Sequence, residues 1–379
     1  MSSTSIPNQV KVKLWVAAGG RCQYPGCNIA LYRDSVTLFE MNRAYIAHIV
    51  ADSPGGPRGD EVLSPKLAID FSNLMLLCDT HHRLIDHEDV AGHPVELLKQ
   101  FKKDHEERIA HVTGLDNTRK TYIITYSANI GMRKGQISPE QVRAAVLAQD
   151  LYPATQSSID LNMTQNATND DSATFWKTEC KNIDGFISAR ICGLGPDGND
   201  MKHLSIFALA PIPLLMYFGK KLGDILPMDI YQRHRDTEEW IWPASIENGQ
   251  AYSLDVVRPA YKGASGVILE LSLSGLIDPD SVRRTMDEEL PWFRLSIPEP
   301  NRDHLKSKAQ LREFGDLYHR TLSRISVETG EGCTIHMFPA VPVAAAIQMG
   351  RNLLPKSDGR ILVYDYNRDK KGWLKTICI

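Results

Sequence analysis

Residues 73–87 read NLMLLCDTHHRLIDH, and the rest of the chain is interpreted outward from them. An Asn precedes an apolar run; a Cys-x2-His step, a second adjacent His, an Asp and a third His follow. An ordinary core has no use for Cys78, His81, His82, Asp86 and His87 at this density. Metal chemistry does, because thiolate and imidazole are the usual zinc ligands and imidazole and carboxylate suit a catalytic divalent ion.

Upstream, Cys22 and Cys27 flank the Pro25-Gly26 turn in RCQYPGC. A tight turn between two cysteines presents both thiolates to one ion. Joined to Cys78 and His81, this clip completes four ligands for a structural zinc. The flanking sequence supports a small α+β unit. Residues 7–18 carry apolar positions at helical spacing and stop at Gly19-Gly20. Residues 44–50 (AYIAHIV) form a short strand carrying His48, 53–60 are a Gly/Pro-rich loop, and 94–113 make a charged amphipathic helix.

At 379 residues two or three domains are expected. A hydrophobic content of 42% with 23% charged residues reads as soluble and globular. The longest uncharged apolar run, Ile206 to Phe218, is too short for a bilayer and contains two prolines. The N-terminus MSSTSIPNQVKVK has no apolar signal-peptide core. Seven cysteines spread over the chain argue against a disulfide framework. A reduced, cytoplasmic protein without a membrane partner is expected. The formal charge of −3 means that DNA binding needs a local basic patch.

Downstream the pattern changes to α/β. Residues 121–127 look like a strand, and Ser138-Pro139-Glu140-Gln141 opens a helix to about Gln149. Residues 155–174 are polar and aperiodic. The domains are therefore drawn as 1–115, a connecting segment 116–165, and 166–379. A repeat occupies the last part. Its first copy comprises GFISARICG (185–193), HLSIFALAPIPLLMYFGKKL (203–222) and MDIYQRHRD (228–236). The second comprises GVILELSLSG (266–275), TIHMFPAVPVAAAIQMGRNL (334–353) and RILVYDYNRD (360–369), with an insertion of about 60 residues carrying a helix near 302–326. Pro211-Ile212-Pro213 is matched to Pro339-Ala340-Val341-Pro342. Two strand–turn–helix–strand units predict two Rossmann-like halves related by pseudo-two-fold symmetry.

The order His48, Asn73, His82, wrapped around a zinc clip, resembles the HNH endonucleases and their ββα-metal fold; the resemblance covers about residues 15–90. AHIVAD, NLMLLC and THHRLID carry it. It implies that His48 is the general base, that Asn73 fixes the loop and strand holding His48 or assists the metal, and that His82 ligates a divalent ion, Mg2+ or another. Asp86, four residues on, is a plausible second ligand, and His87 a phosphate contact or a surface residue. Ala47 stands where many HNH enzymes place a further ligand before the base. The ion is then held by fewer protein ligands, or by an acid from elsewhere: Asp52, Asp79 or Asp86. Arg21, Arg33, Arg43, Arg58, Lys66, Arg83, Lys99, Lys102 and Lys103 are candidates for a phosphate-binding face on double-stranded DNA, with little sequence specificity expected.

The doubled C-terminal unit, with its APIP and FPAVP turns, resembles the SAVED domain, itself like two fused CARF domains. HNH followed by SAVED resembles the effector nucleases of CBASS anti-phage systems. That resemblance implies a cyclic di- or trinucleotide activator and a homo-oligomer, a dimer or tetramer, on activation. In open α/β sheets ligands sit beyond the carboxyl ends of strands. The loops there are Cys192-Gly193, Ala210 to Pro213, Ser272 to Gly275 and Phe338 to Pro342. The candidate ligand residues are Pro211, Ile212, Pro213, Lys220, Arg233, Trp240, Ser272, Ser274, Pro339 and Ala340; Lys221, Arg235 and Trp242 stand beside them. The lack of a G-x-G-x-x-G after a strand speaks against a dehydrogenase. The competing class is a zinc-containing DNA-binding regulator without nuclease activity, which would need neither His48 nor Asn73.

Overall fold

Leu14 is the fully buried residue of the first helix, α1 (Asn8–Ala17), which ends where Gly19 and Gly20 take φ of +60° and +64°. Only glycine adopts that conformation without strain, so the helix stops there. The computed structural model describes residues 4–131, 133–164, 170–191, 203–223, 226–243, 249–286, 289–330, 332–353 and 359–379. The chain forms two compact units, Met1–Asp116 and Asn117–Ile379.

In the first unit, β1 (Ala44–His48) pairs antiparallel with β2 (Leu74–Cys78). Between them lie α2 (Leu63–Leu67) and a single 3-10 turn, Phe71–Asn73. Then follow α3 (Asp79–Arg83), prolonged by one π-helical turn through Glu88, and α4 (Val95–Gly114). Every residue of β2 is buried. That explains why LMLLC is an uninterrupted apolar run rather than an alternating one. Leu14, Leu31, Ile49, Leu74 to Leu77, Ile85 and Leu98 make the core.

The second unit contains β3 (Lys120–Ile130), β4 (Arg133–Lys134), α5 (Pro139–Leu147), β5 (Tyr152–Pro153), β6 (Ile159–Met163), α6 (Ala173–Phe186), β7 (Leu204–Leu209), α7 (Ile212–Leu222) and β8 (Met228–Ile230). It continues with β9 (Ser253–Arg258), β10 (Gly266–Ser272), α8 (Pro279–Thr285), β11 (Trp292–Ser296), α9 (Lys308–Thr329), β12 (Thr334–Ala340), α10 (Val343–Arg351), β13 (Ile361–Asn367) and β14 (Gly372–Cys378). In one sheet β6, β3, β7 and β8 lie side by side in parallel. In the other, β11, β10, β12 and β13 do the same, with β9 and β14 added antiparallel at the two edges.

These parallel quartets correspond strand for strand. The series β3–α5–β6–α6–β7–α7–β8 repeats as β10–α8–β11–α9–β12–α10–β13, each time with the second strand outside the first. The duplication is therefore larger than the sequence pattern suggests, and three expectations change. Residues 117–164, placed in a connecting segment, supply the first two strands and first helix of the leading half. The stretch 275–333 is no insertion, since α8, β11 and α9 have counterparts in α5, β6 and α6. Residues 185–191 are helical rather than a strand, because Ile183 and Ile187 are buried at i,i+4 spacing on α6 and its π-helical continuation; Cys192 and Gly193 lie outside the described residues.

The proline register also shifts. Pro211 and Pro342 are the N-cap residues of α7 and α10, each two residues beyond its strand, so these two are equivalent. Eight residues further on, Gly219 and Gly350 mark the crossing of the two helices. A Cβ on Gly219 would stand 2.1 Å from the Ile347 carbonyl oxygen, and one on Gly350 would stand 1.9 Å from that of Met216. Backbone touches backbone at this crossing, on opposite sides of the pseudo-dyad. One continuous core spans the unit, and a smaller one lies on the second sheet's other face, where Trp292, Phe338, Tyr364 and Trp373 pack beneath α8.

Candidate functional site

The Cys22 clip is a small hairpin. Arg21 bridges Ala30, the Cys22 amide donates to the Ile29 carbonyl at 3.1 Å, and the turn passes through Gly26 at φ +78° and Asn28 at φ +50°. Gln23 ties it to β2 from both sides, its amide donating to the Leu76 carbonyl and its side-chain oxygen accepting from the Leu76 amide at 2.6 Å. The clip therefore faces the end of β2, where Cys78 begins α3 and His81 follows one turn later. Ligand atoms of Cys22, Cys27, Cys78 and His81 all lie within 4.8 Å of one another. Nδ1 of His81 is 3.1 Å from Cys78 Sγ and 3.7 Å from Cys22 Sγ. Edges of a tetrahedral S3N site are about 3.6–3.8 Å, so four donors at this spacing could hold one ion. Burial raises the Cys22 thiol far above its ordinary pKa. A buried cluster of this kind can hold thiolates when a cation neutralises them. The Tyr24 ring stacks on His81 with centroids 4.1 Å apart, and its hydroxyl donates to His93 Nε2.

His48 ends β1 with its side chain buried, and its Nε2 donates to the Ala68 carbonyl at 2.9 Å. This bond fixes the proton on Nε2 and leaves a lone pair on Nδ1. Asn73, also buried, accepts the Val50 amide at 2.8 Å and donates back to the Val50 carbonyl at 2.8 Å. It closes the chain just after His48 like a short piece of sheet. Arg58, in the Gly/Pro-rich loop, takes a left-handed φ of +57°. Its guanidinium donates to the carbonyls of Ile49 (2.7 Å), Ile85 (2.6 Å) and His48 (3.3 Å), and to Asp86 Oδ1 at 2.5 Å. Oδ2 of Asp86 lies 3.3 Å from His82 Nε2. A chain of polar contacts thus runs from the His48 carbonyl through Arg58 and Asp86 to His82. Burial lowers the His82 pKa, with Asp86 opposing that shift. Tyr45 of β1 stacks on the His82 ring, centroids 4.8 Å apart.

Three expectations are revised here. Both oxygens of Asp86 are engaged, Oδ1 by Arg58 and Oδ2 at 3.3 Å from His82, so Asp86, expected as a second metal ligand, stands here as a partner of the His82 ring. Arg58 is a buried clasp rather than a phosphate contact. Lys102 is buried against Glu106 and the Phe71 ring, and Lys99, Lys103 and Arg43 pair with Glu96, Glu107 and Asp34. Arg33, Lys66 and Arg83 remain exposed. Tyr45 was missed by sequence reasoning, since a single strand tyrosine carries no motif. The role of Arg58 was equally hidden, because nothing local signals that its side chain spans the distance to α3.

In the second unit the loops at the carboxyl strand ends do converge. The amides of Leu273 and Ser274 donate to the Ala340 carbonyl, at 3.0 and 2.7 Å. Gln232, following β8, accepts the Ala344 amide at the start of α10. The residues after β8 therefore meet the start of α10, just beyond Pro339 and Ala340 at the end of β12, while Arg233 pairs with Glu238. Pro211, Ile212 and Pro213 occupy the equivalent β7–α7 turn. Ser272 turns inward, its hydroxyl donating to the buried Glu270, which also receives Trp292 Nε1 and Arg294 Nε. Trp240 is fully buried edge-on to Phe207, where no ligand face is free, and Trp242 is buried nearby. Lys220 sits in the last turn of α7, on the order of 13 Å along the helix from Pro211. Trp240, Lys220 and the Ser272 hydroxyl are thus removed from the candidate ligand face.

Residues 191–379 match the family model described as the SMODS-associated and fused to various effectors sensor domain, SAVED. The second unit carries a SAVED domain. The model begins within the π-helical end of α6, leaving the leading half's first strands outside it. Among solved structures the chain is similar to the Acinetobacter baumannii Cap4 SAVED/CARF-domain containing receptor with the cyclic trinucleotide 2'3'3'-cAAA. Identity is 15% over 75% of this chain and 61% of that one, with a TM-score of 0.43. The Moraxella osloensis Cap4 receptor gives 12% identity over 75% of this chain and 60% of that one, with a TM-score of 0.39. The chain thus spans less than two thirds of the length of these receptors. No curated protein matches it. Among the described residues, no helix is long and apolar enough to cross a membrane.

Proposed function

We propose that the protein is a metal-dependent endonuclease of the HNH type, degrading double-stranded DNA when its SAVED domain binds a cyclic oligonucleotide, as an effector of a CBASS anti-phage system. The observation that carries the nuclease assignment is the pairing of a tautomer-fixed His48 with the Asn73 clamp beside a Cys3His cluster. A DNA-binding zinc module needs neither the fixed imidazole nor the clamp.

The chain's own groups supply the following chemistry. Nδ1 of His48 takes a proton from the attacking water while the Ala68 carbonyl steadies the resulting imidazolium through Nε2–H. Water oxygen bonds to phosphorus as the P–O bond to the leaving oxygen breaks. His82, its Nε2 held by Asp86, would ligate the divalent ion through Nδ1, and that ion when bound stabilises charge on the phosphate and leaving oxygens. A single imidazole suits an ion that keeps waters and substrate oxygens in its other positions. Cys22, Cys27, Cys78 and His81 would hold a structural zinc that fixes the start of α3.

The SAVED domain gives the activation step its support: a sensor family fused to effectors, with strand-end segments gathered around Ala340, Ser274 and Gln232. Activation through a homo-oligomer follows from the same reading. Plasmid degradation by purified protein with Mg2+, with and without cyclic di- and trinucleotides, tests both halves. Cleavage should appear on ligand addition and fall about 10²–10⁴-fold in His48→Ala. Undiminished cleavage by His48→Ala would overturn the mechanism, and equal cleavage with and without every ligand would overturn the switch.

A further inference from the structure

We propose that the hairpin 31–43 is a DNA-engaging finger whose apolar tip wedges between base steps beside the cleavage site; this rests on the nuclease reading above. The hairpin grows out of the Cys22 clip. Leu31 is buried at its root, and three amide bonds zip it: Arg43 to the Leu31 carbonyl, Met41 to Tyr32, and Asp34 to Phe39, at 2.8–3.0 Å. The tip is preorganised. Oδ1 of Asp34 accepts the amides of Val36 and Thr37 and the Thr37 hydroxyl, while Oδ2 pairs with Arg43 at 3.1 Å. Leu38 holds a left-handed φ of +59°, a conformation costly for a branched apolar residue.

What this ordered tip displays is apolar: Val36 is 87% exposed, Phe39 70% and Leu38 60%. Tyr32 and Met41 are exposed below it. A soluble surface seldom groups side chains of this kind without a use. The location selects the occupant. The hairpin runs straight into β1, and Tyr45, the second residue of that strand, is exposed like Tyr32 and Met41. Tyr45 in turn is stacked on His82. The hairpin is therefore joined directly, through Tyr45, to the candidate phosphate site. A protein seated on it would crowd His82, whereas the substrate duplex must pass there.

The chemistry agrees. Arg33 and Arg43 are balanced by Asp34 and Glu40, so the finger is not built to follow phosphates. Minor-groove binders insert Phe, Leu or Met between base steps to unstack and kink the duplex. A wedge of this type is insensitive to sequence, because every step offers an apolar stacking face.

The test uses full-length zinc-loaded protein, wild type and His48→Ala, with a 2-aminopurine-labelled duplex, with and without a cyclic trinucleotide. Binding should raise 2-aminopurine fluorescence. Leu38→Ser combined with Phe39→Ser, and separately the milder Val36→Ser, should abolish or reduce that rise and weaken binding, about tenfold for the double variant, at unchanged zinc content and melting temperature. Tip variants that bind and unstack DNA like the parent would overturn the finger while leaving the nuclease reading intact. Loss of self-association in sedimentation, at unchanged DNA affinity, would make the tip a protein interface and overturn it too. A parent that binds no duplex under either condition overturns both.

Discussion

In Met1–Asp116 the decisive buried groups are polar and reach across the chain: Gln23 to Leu76, Asn73 to Val50, Arg58 to His48, Ile85 and Asp86, and four metal-type donors to one another. In Asn117–Ile379 they are apolar, and the central event is two helices meeting backbone to backbone at Gly219 and Gly350. A small unit with one short sheet buries too little apolar surface to hold its loops, so bonds with direction take over. The same directed bonds place imidazoles at defined angles, which packing alone does poorly. Under the proposed function, chemistry and stability would share residues in the first unit, while in the second packing sets the shape and the loops would be left to bind.

The sharpest way to break this contrast is to remove metal. Chelation, or Cys78→Ser, should unfold the first unit and leave the second folded, because a structural zinc contributes on the order of 10 kcal/mol to a small domain. Limited proteolysis should then leave a resistant fragment beginning near residue 117. Loss of both units together, or of neither, would contradict the division.

Next in size is the reverse experiment. Gly219→Ala or Gly350→Ala drives a methyl group into a carbonyl of the facing helix, and neither backbone can yield locally. Overpacking of this kind costs about 1–3 kcal/mol. A fall of roughly 5–10 °C is expected in the melting of the second unit, with the first unaltered. If both substitutions are silent, the helices are not in the close crossing described.

The glycines also show what one sequence can and cannot disclose. The Cys22 and Cys78 clips, and the spacing of His48, Asn73 and His82, are legible because each depends on a short turn or one helical step. Helices α4, α5 and α9 are equally plain from caps and periodicity. The leading half of the duplication was cut at 166 because the pairing of β3 with β7 joins residues about 80 apart, and no local pattern records it. The strand expected over 185–193 is helical as far as Ile191 for a related reason. β-branched isoleucines at i,i+4 serve a buried helix face as well as a strand, and tertiary burial decided. Trp240 and Lys220 were chosen by residue type, which is blind to which end of a helix or which side of a sheet a residue occupies.

The smallest expected effect concerns a carboxyl in the second unit. Asp365, on β13, is desolvated and lies near Asp170, which raises its pKa from 3.8 to about 7. Asp170 itself receives the Gly131 amide, the neighbouring Asp171 pairs with Lys370, and among the described residues no ion pair reaches Asp365. The sign follows from proton counting. Between pH 4 and 7 the folded chain keeps a proton that the unfolded chain has released, so stability falls as pH rises through that window and the full penalty is present above it. Asp365→Asn, which cannot ionise, should therefore melt about 2–4 °C above the parent at pH 8 and level with it near pH 4. A polar group is tolerated here by staying neutral, whereas Asp86 in the first unit is held between Arg58 and His82. If Asp365→Asn instead destabilises the unit at pH 8, the carboxylate has a partner in the folded state and the two units handle buried acids alike.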